Sequence, residues 1–157
     1  MKSDPERLIR STDSFQAGGF RPHGSLEMWL EGGESDGIIY SMAQGPFNAE
    51  FLKAFVLARA DLLAQAGQRR LRAHILQMRC SMMASPDMLD EYRRLMSGFI
   101  SGQMVAEHTA WVVGPEVEGR DFMLPLYEQI YRELGLPFAT FEQLPEAEDW
   151  VRAQLVK

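Results

Sequence analysis

From Leu26 onward, strand-like and helix-like segments alternate along the chain, and this alternation constrains its folding more than any other feature. Leu26, Met28 and Leu30 alternate with Glu27, Trp29 and Glu31, the period of a half-buried strand. GGESDG, Gly32 to Gly37, supplies turn residues, and the apolar run Ile38 to Ala43 completes a β-hairpin. Gly45 and Pro46 break the strand. Asn48 is placed to cap a helix that carries Leu52, Phe55, Val56, Leu62 and Leu63 on one side and stops at Gly67. Leu71 to Met78 then reads as an interior strand, with His74 and Gln77 inside an otherwise apolar run.

Ser85, Pro86 and Asp87 form a helix start: a side-chain cap, a first residue that needs no N–H partner, and an anion at the positive end of the dipole. Leu89, Tyr92, Met96, Phe99 and Ile100 recur at helical spacing toward Gly102. Ala110 to Val113 is the next strand, closed by the loop Gly114 to Asp121. A third helix carries Leu126, Tyr127, Ile130, Tyr131 and Leu134 on one face, with Tyr127 and Tyr131 beside Ile130 as a core-facing stripe, and ends at Gly135. Phe138 to Phe141 and Leu144 to Leu155 supply a last strand and a last helix, the latter burying Ala147, Trp150 and Val151. Strands joined by single helices imply right-handed crossovers. The expected fold is therefore α/β: a mixed, mainly parallel sheet of about five strands, the first antiparallel, flanked by about four helices. Residues 1–24 are polar, with Gly18, Gly19, Pro22 and Gly24 at their end, and read as an N-terminal arm or tail; residues 25–157 read as one domain.

The 157 residues suffice for one core without staples. A net charge of −6 argues against nucleic-acid binding, which needs clustered Lys and Arg; the one cluster, Arg69, Arg70 and Arg72, reads as a solvated strand entrance. The start, MKSDPERLIRSTDSFQ, has no apolar secretory core, and no stretch approaches the roughly 20 apolar residues of a membrane span. One cysteine forms no internal disulfide and no zinc spacing exists, so the expectation is a cytoplasmic protein without metal or cofactor.

The dinucleotide, P-loop, nucleophile-elbow and HExxH patterns are all missing, so no motif supports an enzyme. Cys80 lacks a nearby His to act as base and reads as a free thiol at a strand end. With Met78, Met82 and Met83 it matches the soft donors of a Cu(I) site, although methionine ordinarily fills core gaps. Ser81 and Ser85 lie near a helix N-terminus, where a phosphate would meet free amides; for Ser85 capping is the simpler role. Glu116, Glu118 and Asp121 read as a solvated loop, and His74, His23 and His108 lack partners at metal-ligand spacing. Trp29, on the polar face of an edge strand, would mark a homodimer contact if exposed.

The hairpin GSLEMWLEGGESDGIIYSMAQGPFN, the alternation after it, and the closing FATFEQLPEAEDWVRAQL with Ala147 and Trp150 resemble the STAS/SpoIIAA-like domains over roughly residues 25–156. The resemblance implies a non-enzymatic regulatory or protein-interaction module with an unidentified protein partner. Its switch would be a phosphorylatable Ser in an Asp-Ser-Ser/Thr-Gly-like motif; at that place this chain reads Cys80, Ser81, Met82, Met83, Ala84, Ser85, with neither the Asp nor the Gly. The alternative expectation is a small-molecule or lipid-binding protein with an apolar pocket at the carboxyl ends of the parallel strands, near Cys80, Ser81 and Gly114.

Overall fold

The computed structural model describes residues 9–12, 23–33, 36–67 and 70–157. The elements are β1 (Ile9–Ser11), β2 (Ser25–Glu31), β3 (Gly37–Gln44), α1 (Ala49–Ala66), β4 (Leu71–Arg79), α2 (Pro86–Ser101), β5 (His108–Val113), α3 (Arg120–Glu133), β6 (Phe138–Phe141) and α4 (Leu144–Leu155). The strands form one six-stranded sheet in sequential order, β1-β2-β3-β4-β5-β6. β1, β2 and β3 pair antiparallel, and β3 through β6 run parallel.

The α/β fold is the expected one, with one more strand. Ile9–Ser11, within the segment read as an arm, pair with Glu27–Trp29 of β2. A three-residue strand is too short to show an alternating pattern, and its pairing comes from a partner some twenty residues on. The Thr12 hydroxyl then accepts from the Leu26 amide at 2.9 Å. Consequently β2 is not an edge strand, and Trp29 is not exposed: it is 8% accessible, stacked on Tyr40 at 5.8 Å. The homodimer contact suggested for it loses its premise. Residues 13–22, including Gly18, Gly19 and Pro22, lie outside the described residues.

Sequential parallel strands with right-handed crossovers must place successive helices on one face. Side-chain parity agrees. Ile39, Ser41 and Ala43 of β3, His74, Leu76 and Met78 of β4, and Thr109, Trp111 and Val113 of β5 are all buried on the face packed by α1, α2 and α3. The opposite parity, Ala73, Ile75, Ala110 and Val112, packs against Ala147 and Val151 of α4. Ala73, Ala110 and Ala147 are fully buried, so small side chains set the close approach of α4 to the sheet. The Tyr40 hydroxyl donates to Glu148 Oε2 at 2.9 Å and ties α4 to β3.

Local capping follows the sequence. Asn48 and Ser85 accept from the amides of Phe51 and Met88, each such cap being worth about 1 kcal/mol. α3 starts at Arg120, inside the stretch expected to be loop, after Gly119 with φ 78°, and His108 begins β5 instead of preceding it. No helix among the described residues is long and apolar enough to cross a membrane.

Candidate functional site

The junction after β4 is held chiefly by backbone hydrogen bonds. Cys80 is exposed with φ 61°, and its carbonyl accepts from the Glu118 amide at 2.8 Å. The Met82 amide donates to Glu118 O, the Gly45 amide to Ser81 O, and the Phe47 amide to Met83 O. Ser81 is buried; its hydroxyl donates to Glu118 Oε1 at 2.9 Å and accepts from the Met83 amide at 3.2 Å. Ser85 caps α2. Gly114 is buried at the end of β5, where an added Cβ would meet the Glu116 carboxylate. Loop-to-loop pairing thus occupies the crevice at the strand ends. None of Cys80, Ser81, Ser85 or Gly114 lines the buried cavity beneath the helices.

That cavity lies one layer deeper, between the sheet and the three helices that share its face, and measures about 50 Å³. His74, Leu76 and Met78 of β4 with Thr109 and Trp111 of β5 make its floor. α1 contributes Phe51, Phe55 and Arg59; α2 contributes Met88, Tyr92, Met96 and Phe99; α3 contributes Tyr127 and Tyr131. Val105 and Ala106 of the α2–β5 loop close one end. Most of this lining is apolar. Its polar groups are few and unusual for a core.

Arg59 falls four residues after Phe55 and three before Leu62, so the α1 periodicity turns it inward, and it is 4% exposed. One guanidinium nitrogen donates to Met104 O at 2.6 Å, and Cζ stands 4.7 Å from the Phe99 ring centre. Its Nε has no hydrogen-bond partner, and no carboxylate among the described residues pairs with it. Burial pulls its pKa down to about 10, while the neighbouring Tyr131 and Tyr92 phenols favour the charge. It remains a cation at neutral pH.

His74 is brought to Ser41 by strand register. Ile39 pairs with His74 and Ser41 with Leu76, so the two polar side chains lie diagonally on one face, Oγ to Nε2 at 2.7 Å. Burial, with Arg59 adding repulsion, lowers the imidazole pKa to about 3, so His74 is neutral. Tyr92 and Tyr131 share one hydrogen bond of 2.7 Å that links α2 to α3. Burial raises both phenols, Tyr131 to about 12, and both stay protonated. The buried Trp111 indole N–H sits near enough to favour an ionised Tyr131, yet makes no hydrogen bond of its own.

The cavity therefore offers one cation and several N–H and O–H groups, and few acceptors. Tyr127 and Tyr131 do form the expected core stripe, and they also wall this cavity. Arg59 and the Ser41–His74 pair were not among the residues singled out from sequence. The available signal for Arg59 was a charge on an apolar helical stripe. Ser41 had none, because its partner is set by register. Comparison with family models, with curated proteins and with solved structures found no match to this chain.

Proposed function

We propose that the protein is a small-molecule-binding module that takes an apolar ligand into the cavity between the sheet and α1–α3. The observation that carries this reading is an internal cavity whose apolar lining includes buried donors without acceptors. A dry void of that volume costs about 1 kcal/mol. As found, it has room for roughly three or four waters. Met78, Met88 and Met96 line it, and unbranched thioether chains can repack to admit something larger. The STAS/SpoIIAA-like assignment belongs to the same proposal, supported by the hairpin followed by single alternating helices and strands.

Native mass spectrometry of gently purified protein and thermal shifts with benzene, indole and 1-hexanol test the reading. Retained ligand mass, or a rise of several degrees with at least one probe, is the expected result. Ala106→Leu, which places a larger side chain into the cavity, should abolish the shift while the protein stays folded. A clean unliganded mass with no shift for any probe overturns the proposal.

A second reading, a regulatory or protein-interaction module, draws on the first turns of α3. Phe122 is 71% exposed, and Leu126 follows one turn later at 36%. An apolar pair there suits a partner surface. Phe122→Glu should eliminate partner capture from extracts of the native host while changing stability by less than about 0.5 kcal/mol. Failure of the unaltered protein to capture any partner counts against this second reading.

A further inference from the structure

We propose that the ligand of the internal cavity is a small monocarboxylate with an apolar body, its carboxylate held by Arg59. The inference rests on the ligand-binding reading above and names the chemistry of the ligand.

Three observations converge on an anion. The first is charge: Arg59, 4% exposed and inside an apolar shell, has no carboxylate partner among the described residues, and His74 beside it is neutral. An isolated buried cation is costly, and a ligand that brings the opposite charge removes that cost on binding. The second is a surplus of donors. Arg59 carries five N–H groups; one terminal nitrogen donates to Met104 O, and its Nε is buried and unpaired. The Trp111 N–H beside Tyr131 makes no hydrogen bond, and the hydroxyls of Tyr92 and Tyr131 share one bond between them. Such a cavity is complementary to a group that only accepts.

The third observation is shape. A guanidinium presents parallel N–H bonds that match a planar carboxylate, and one positive charge balances one negative charge. A phosphate monoester would bring about two negative charges to this single cation. The apolar remainder of the lining accounts for the ligand's body. From His74 to Met78 the floor extends four residues along β4, about 13 Å of strand, with aliphatic and aromatic side chains beyond the polar end. Arg59 stands at the end closed by the α2–β5 loop, where Met104 is 41% exposed, so the carboxylate end is the one nearest solvent.

The test is titration calorimetry on the full chain at pH 7.5 with hexanoate and benzoate, against 1-hexanol and benzyl alcohol of matched size. The unaltered protein should bind the acids at least tenfold more tightly than the alcohols. Arg59→Met should erase that preference while retaining a cooperative thermal transition, and Arg59→Lys should keep it in weakened form. Alcohols binding as tightly as acids, or an acid preference that persists in Arg59→Met, overturns the carboxylate assignment and leaves the cavity as a neutral apolar site. No binding of acids or alcohols overturns the assignment together with the ligand-binding reading beneath it.

Discussion

Acidification from pH 7 to pH 5 is expected to remove about 2 kcal/mol of folding stability through His74 alone. The folded imidazole has its pKa lowered to about 3, first by burial and then by Arg59. In the unfolded chain it returns to about 6.5. The full contribution is present above the unfolded value. As pH falls through 6.5 the unfolded state takes up a proton that the folded state refuses, and stability drops by roughly 1.4 kcal/mol per pH unit until the folded value is reached. Ordinary carboxylates titrate mainly below this range, and comparison with a His74 variant separates its share of the slope from that of the other two histidines. Urea unfolding at pH 7, 6 and 5 measures it. His74→Gln, which can still meet the Ser41 hydroxyl but carries no titratable proton, should flatten most of that slope. An unchanged slope in the variant would mean that another group refuses the proton.

This prediction depends on a contact that the sequence does not display. His74 is visible as a polar residue in an apolar strand, but its partner follows from the parallel register of β3 and β4, which pairs Ile39 with His74 and carries Ser41 to the same face. Local signals were more informative. Asn48 and Gly67, Ser85 with Pro86 and Asp87, and the period-2 pattern of β2 mark their elements directly, because caps and parity act within a few residues. β1 escaped because three residues cannot display a period. The cavity's position escaped for a topological reason. A ligand crevice at the carboxyl ends of the strands is usual where strand order reverses, and here the order is sequential. The crossovers stack α1, α2 and α3 on one face, and the space forms beneath them, while the loops at the strand ends bond to one another through Ser81 and Glu118.

Replacing Arg59 by Met should raise the stability of the ligand-free protein by about 1–3 kcal/mol, the direction expected when an uncompensated buried charge gives way to an apolar side chain of similar length. The variant forfeits the hydrogen bond to Met104 O and the contact with Phe99, each worth about 1 kcal/mol. Against these stand the desolvation that already pulls the guanidinium pKa down to about 10, the unpaired Nε, and the apolar area a methionine would bury beside Phe55 and Met96. Urea midpoints at pH 7.5, with unchanged slopes, provide the measurement. A loss of stability would show that Arg59 serves as the pin between α1 and the α2–β5 loop, its bond to Met104 outweighing its burial. A gain of stability accompanied by loss of acid binding is the pattern of a residue whose charge is kept for a ligand, because folding alone would favour its removal.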